Sequence, residues 1–429
     1  MLNSFWNRVR ANAIFKVASL NSLSLFVRLI SGFAISKFMA VFIGPSGMAL
    51  SGNLGNFFQS LQNLSSIGFK NGVIKYIAEF KEDEHRLKEA ISSGFLISVL
   101  IGLLSCATLF LFGNSFSLLV FSTKEYSFLF KISAFTMPFF TVHVFFLAVM
   151  NGLKKVKDLV IVNVAAYMIS AILIILLMGR NQLEGALLAI VLTPIALIFS
   201  LLFRLSMVKE IIQYISFFTY SKSFLLKITS FFSMTLVSAI MFPVIFILIR
   251  NYIISNVGTE EAGFWEGIRK ISNYYMLFVY SMLEIYLLPL LAENKKGFKA
   301  IVFSFYKSLL PFVIFVFLLI FSLKVLIVKI VLTKAFLPME NLFLWQLIGD
   351  FFRIVFLTIS YQFIAKKLIK MYILCEVVYM MLLYFISVYF IDLFGVIGAV
   401  KAHALTCFIY MLILFLVFRN EFFRKNVVE

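Results

Sequence analysis

Apolar stretches of about twenty residues follow one another from Ile14 to Phe418, with short polar loops between them. No soluble core is large enough to hide so much apolar surface. In lipid, the backbone must satisfy its own hydrogen bonds, and helices do this one segment at a time. Hydrophobic residues make up 62% of the 429, with 54 Phe, and the mean hydropathy is +1.03. The pattern therefore predicts an all-α polytopic membrane protein. Its expected spans are Ile14–Phe42, Ser46–Glu79, Leu87–Gly113, Glu125–Asn151, Val156–Met178, Leu183–Met207, Phe224–Ser255, Glu261–Leu291, Phe298–Ile320, Asn341–Ala365, Leu368–Ile391 and Phe394–Phe418, twelve in all.

The stretch Gly44 to Glu79 recurs about 214 residues later as Gly258 to Glu293, a spacing that points to an internal duplication. Gly44 falls on Gly258, Gly52 near Gly267, and Ala78-Glu79 on Ala292-Glu293. The later pair Gly185-Ala186 and Gly398-Ala399 keeps almost the same offset. Two six-helix lobes follow, residues 1–207 and 224–429, joined by a cytoplasmic linker at 208–223. An even number of spans per lobe makes both enter from the same side. The pseudo-twofold axis then lies along the membrane normal.

The net charge is +18, and its distribution orients the chain. With the N-terminus in the cytoplasm, the inner loops carry several times as many Lys and Arg as the outer ones, and both termini are cytoplasmic. Lys124, Arg180, Arg250, Lys324, Lys329 and Lys334 count as the outer charges. Phe321 to Lys334 holds half of them and is expected to form an amphipathic elbow at the outer interface. The basic surplus serves membrane topology, so no nucleic acid is expected as a partner.

Both copies of the repeat carry a polar stripe. At 100° per residue, Gly52, Asn56, Gln59, Asn63, Ser66 and Lys70 share one helix face, as do Glu266, Lys270, Asn273, Tyr280 and Glu284. Arg28 stands about 14 residues into its span, roughly 21 Å deep at 1.5 Å per residue, and Arg353 is similarly deep. A charge there costs about 3 kcal/mol toward acyl chains, so these groups face protein or a wet cavity. Glu266 with Arg269 and Lys270, and Asp350 with Arg353, are spaced for local ion pairs. Bases inside the spans outnumber Glu266, Glu284, Asp350 and Glu376. The expected interior is therefore a hydrated, positive cavity whose guest is an anion. Arg suits phosphate through its planar fork, and Asn56, Gln59 and Asn63 suit sugar or water.

Cys106, Cys375 and Cys407 lie inside apolar spans and read as buried apolar residues; His143 and His403 read as packed core. No nucleotide loop, metal-ligand spacing or nucleophile motif occurs. Accordingly no enzyme activity, cofactor or metal is expected.

The polar second and eighth spans, the cationic interior and several stretches resemble the Wzx lipid-linked oligosaccharide flippases. That family shares a superfamily with the MATE exporters and the lipid II flippases. The stretches are GPSGMAL at 44–50, NGVIKY at 71–76, GFWEGIRKIS at 263–272, YLLPLL at 286–291, LFLWQLIGDFFR at 342–353 and YILCEV at 372–377. The resemblance implies a MATE-like fold in the bacterial inner membrane. The implied activity is translocation of undecaprenyl-pyrophosphate-linked oligosaccharide, an O-antigen unit or enterobacterial common antigen, to the periplasmic leaflet. A polysaccharide polymerase and a chain-length regulator would be its protein partners. Arg28, Lys70, Arg269, Lys270, Asp350 and Arg353 fall where that family has charged or polar interior positions. Arg28, Arg269, Lys270 and Arg353 are the expected pyrophosphate ligands, with Lys70, Asn56, Gln59 and Asn63 also facing substrate. Asp350, Glu266, Glu284 and Glu376 are candidates for ion coupling or salt bridges. Twelve spans rather than fourteen argue against a lipid II flippase. The first span lacks Asp and Glu, which argues against a MATE-type drug exporter.

Overall fold

The structure is a computed structural model that describes residues 13–216, 233–293 and 297–423. Arg8, Arg10, Lys222, Lys227, Lys295, Lys296, Arg424 and Lys425, which helped to orient the chain, lie outside the described residues, as does 217–223 of the expected linker.

All regular elements among the described residues are helical. In the first part they are α1 (Ala13–Phe42), α2 (Gly44–Glu79), α3 (Glu84–Phe121), α4 (Ser127–Gly152), α5 (Val156–Ser200) and the short α6 (Leu205–Gln213). Then come α7 (Ser233–Asn256), α8 (Thr259–Met282), a π-turn (Leu283–Leu287), α9 (Leu288–Glu293), α10 (Phe298–Ser322) and α11 (Lys324–Val331). The chain closes with a 3-10 segment (Lys334–Leu342), α12 (Phe343–Ala365), α13 (Ile369–Phe394), α14 (Val396–Val417) and α15 (Arg419–Phe423).

Helix α3 shows what solvent these helices are built for. Its buried face carries Ser98, Gly102, Ser105, Leu109, Gly113 and Ser117, while Leu100, Leu103, Leu104, Phe110 and Leu111 are exposed. Small residues inside and large apolar residues outside reverse the pattern of a soluble protein. They suit helices that pack closely in lipid. Gly102 makes the approach possible, since a Cβ there would stand 2.9 Å from Pro138 Cα on α4. Asp83 caps the start of α3 by accepting from Arg86 N–H at 3.1 Å.

Nine helices among the described residues are long and apolar enough to span a membrane, and the chain is a multi-pass membrane protein. The difference from the twelve expected spans has local causes. Val156–Met178 and Leu183–Met207 join into one element that breaks at Asn181 and Gln182. Helix α2 is too polar to qualify. The described apolar part of α7, Ile240–Asn256, is shorter than a full span. The stretch Phe321 to Lys334 contains α11, which buries Val328 and exposes Val325, Leu326 and Ile330.

The duplication is written in the backbone. Gly44 and Gly258 both have positive φ, as do Lys154 and Lys367 after α4 and α12, and Gln182 and Gly395 before the last long helical segment of each copy. A Cβ on Gly185 would meet Leu177 O at 2.0 Å, and one on Gly398 would meet Phe390 O at 1.9 Å. Each glycine thus folds its helix back against the carbonyl of the preceding one. Either Gly→Ala change should cost about 1–3 kcal/mol through overpacking, read as a lower unfolding midpoint. Gln182 (φ 43, ψ −111) holds the conformation that Gly395 (φ 61, ψ −144) holds without strain. Gln182→Gly should therefore stabilise the protein by about 1 kcal/mol, checked by the same unfolding measurement.

The chain groups into two compact units, one drawn from Met1–Phe42 and Leu54–Ile240, the other from Ile43–Asn53 and Met241–Glu429. In the first unit α3 packs along α4, α4 on α5 and α5 on α1. Thr136 on α4 donates to Val191 O on α5 at 2.9 Å, and Ser92 on α3 donates to Tyr214 O, tying down the end of α6. In the second unit α12 and α14 pack most closely, with α13 on α14 and α8 against α12.

Candidate functional site

The second unit contains two clusters of charge. The first lies at the α7–α8 hairpin. Arg250 is fully buried, donates to Asn53 Oδ1 at 2.6 Å and pairs with Glu266. Asn53 in turn donates to Asn251 Oδ1 at 2.6 Å. Gly52 leaves room for the pair, because a Cβ there would stand 2.8 Å from the Glu266 carboxyl carbon. Arg269 lies 3.3 Å from the same carboxylate, and its guanidinium stacks 3.5 Å from the Phe246 ring centroid and 4.8 Å from that of Trp265. Lys270 is half-buried in the field of Glu266 and Arg250.

The second cluster centres on Asp350, fully buried on α12. Its Oδ2 accepts from Ser272 at 2.6 Å, from the Tyr275 hydroxyl and from Gln346 at 3.0 Å. Its Oδ1 faces His403 Nε2 at 3.1 Å and Arg353 at 3.9 Å. Arg353 donates a hydrogen bond to the Tyr280 hydroxyl at 2.6 Å. Glu376 on α13 is buried within the field of Arg353, and among the described residues its Oε2 has no hydrogen-bond partner. The Arg269 charge feels both Asp350 and Arg353, so the two clusters form one electrostatic system.

The pairings expected from spacing, Glu266 with Arg269 and Asp350 with Arg353, are present. Lys270 and Glu266 lie together, while Asn273 and Glu284 are exposed. The π-turn begins just before Glu284 and rotates that end of the stripe. In the first unit Arg28 and Gln59 are exposed, and Asn56, Asn63 and Lys70 are half-buried. The Asn56 amide nitrogen is buried with no hydrogen-bond partner among the described residues. Lys70 acts on the buried His143, which lies 3.4 Å from Ser200 Oγ.

Two expectations need correcting. Arg250, counted as an outer loop charge, is sealed inside the protein, because the α7–α8 hairpin sets it opposite Glu266. Both stand equally far from the turn at Gly258, and that symmetry was the available sequence signal. His403 is not simply packed core, since it ligates Asp350, and Cys407 contacts both His403 and the Tyr379 hydroxyl. Ser272, Tyr275 and Gln346 were also missed. Only Gln346, four residues before Asp350, announced itself by spacing.

Chemically, Arg353 keeps donors in reserve, the Glu266 and Asp350 carboxylates are engaged, and Glu376 holds one oxygen without a hydrogen-bond partner among the described residues. Among the described residues no group of three or more His, Cys, Asp or Glu could hold a metal.

Known proteins share this architecture. An inward-facing multidrug resistance transporter of the MATE family matches with a TM-score of 0.72 and 13% identity, covering 92% of this chain and 94% of that one. The lipid II flippase MurJ, in an inward closed conformation, matches with a TM-score of 0.68 and 16% identity, covering 94% and 87%. These likenesses establish a fold of the MATE and MurJ type. In sequence, the lipid III flippases of Escherichia coli (strain K12) and Shigella flexneri are each 25% identical over 399 residues, covering 92% of this chain and 95% of theirs. The family model described as polysaccharide biosynthesis protein matches residues 14–295. That match spans well over half of the chain, which belongs to the polysaccharide biosynthesis protein family.

Proposed function

We propose that this protein is a flippase. It carries an oligosaccharide linked to undecaprenyl pyrophosphate, an O-antigen unit, from the cytoplasmic to the periplasmic leaflet of the bacterial inner membrane by alternating access. The lobes expected from the sequence, 1–207 and 224–429, are the moving parts, and both termini are cytoplasmic. Arg28, Arg269, Lys270 and Arg353 serve the pyrophosphate, and Lys70, Asn56, Gln59 and Asn63 also face the substrate. No chemical step is involved, so the protein is not an enzyme. A polymerase and a chain-length regulator would receive its product.

The observation that carries this reading is Arg353. Its side chain is 19% exposed, and it holds one hydroxyl firmly and one carboxylate only at 3.9 Å. A guanidinium has five N–H donors in a planar fork, and most of these are left for a phosphate. A second reading, transport of the common antigen precursor, draws on the likeness to the lipid III flippases over 92% of the chain. Both readings use the same pyrophosphate chemistry and differ in the sugar.

The experiment is reconstitution in liposomes with fluorescent prenyl-pyrophosphate oligosaccharide, scoring exposure of the sugar on the far side. Arg353→Gln should slow transport tenfold to hundredfold, matching about 1.5–3 kcal/mol for a charge-assisted hydrogen bond. Wild-type rates in both Arg353→Gln and Arg28→Gln would overturn the assignment.

A further inference from the structure

Asp350 has more suitors than a carboxylate can hold. Oδ2 is filled by Ser272, Tyr275 and Gln346, so only Oδ1 is left for two cationic side chains. His403 Nε2 occupies it at 3.1 Å, and Arg353 waits at 3.9 Å. With Asp350 ionised and acceptor-only, Nε2 must carry the hydrogen. The lone pair of neutral His403 is then on Nδ1, within hydrogen-bond distance of Cys407 Sγ at 3.6 Å.

The ring is there by construction. Gly349 gives α12 a bare backbone at this point, where a Cβ would stand 2.4 Å from His403 Cδ2 and 2.9 Å from Nε2. Of the pair, only His403 has outside access, with 12% of its side chain exposed against none for Asp350. The ionisable groups around it are Asp350 and Arg353 from α12, Tyr275 and Tyr280 from α8, Glu376 and Tyr379 from α13, and Cys407 from its own helix. Glu421 of α15 is engaged elsewhere, by Gln362 and Lys366.

We propose that His403 is the proton-carrying group of this protein, and that its charge decides whether Arg353 is held by Asp350 or released to a phosphate. One proton passes from water to Nδ1, and no other bond changes. The imidazolium grips Oδ1 with a charge-assisted hydrogen bond and repels the neighbouring guanidinium, which turns to an incoming anion. When the proton leaves, the Asp350 charge is less compensated, and Arg353 moves back toward it. Proton and anion therefore bind with positive coupling, which is reciprocal by thermodynamic necessity. The proposal rests on the reading of Arg353 as an anion ligand.

The test uses the full chain in lipid nanodiscs and methanedisulfonate, a pyrophosphate-shaped dianion that keeps its charge across the range studied. Wild-type protein should bind it about tenfold more tightly at pH 5.5 than at pH 8.5. His403→Gln keeps an N–H for Asp350 and cannot charge, so its binding should not change with pH. Gly349→Ala evicts the ring without deleting it and should flatten the profile too, which serves if the first variant folds poorly. A flat wild-type profile, or a pH dependence kept in either variant, overturns the role of His403. Arg353→Gln should lose binding at both pH values. Wild-type affinity there, or no binding by the wild type, overturns instead the anion reading beneath.

Discussion

Arg250→Met is expected to destabilise the protein by about 3–5 kcal/mol, the cost of leaving a buried charge without its partner. The guanidinium is fully buried and bonds both Glu266 and Asn53, while Trp265 lies 5.5 Å from it. Without it, the Glu266 carboxylate keeps Arg269 at 3.3 Å but loses its inner neighbour. Asn53 loses a donor as well. The double variant Arg250→Met with Glu266→Gln should recover little of the loss, because Arg269 and Lys270 then lose the carboxylate they share. Denaturant unfolding in nanodiscs reads both values. A single variant within about 1 kcal/mol of wild type would show that the pair is not structural. The prediction also separates two kinds of cation in this chain: Arg250 is spent on holding the α7–α8 hairpin, whereas Arg353 keeps donors in reserve.

Asp350→Leu is the second large effect, again about 3–5 kcal/mol. Ser272, Tyr275, Gln346 and His403 would lose their common acceptor together, and each would be left inside the unit without it. Asp350→Asn keeps the shape and one acceptor oxygen, so its cost should be smaller, about 1–3 kcal/mol. Transport should fail in both, because Arg353 and His403 lose the charge they share. Normal transport by a well-folded Asp350→Asn protein would remove Asp350 from the functional network and leave it a purely structural residue.

The helical class, the membrane setting and the duplication could all be read from the chain itself. Apolar length dictates helices in lipid, and the offset between Gly185 and Gly398 is visible in the letters. The matching backbone conformation at Gln182 and Gly395 was not, because one position is Gln and the other Gly; only the backbone angles reveal the equivalence. The local ion pairs were legible for a similar reason, since residues three or four apart on a helix must meet.

What the sequence determined by itself is what depends on neighbours along the chain: span, period, local pairing and sign of charge. Which helix faces which was decided only by tertiary packing. Arg250 meets Glu266 because the hairpin closes at Gly258, and His403 reaches Asp350 because Gly349 leaves a gap between α12 and α14. The physical reason is that burial turns a charge from a topological signal into a partner-seeking group, and its partner is chosen by whichever surfaces can come close enough to exclude other atoms.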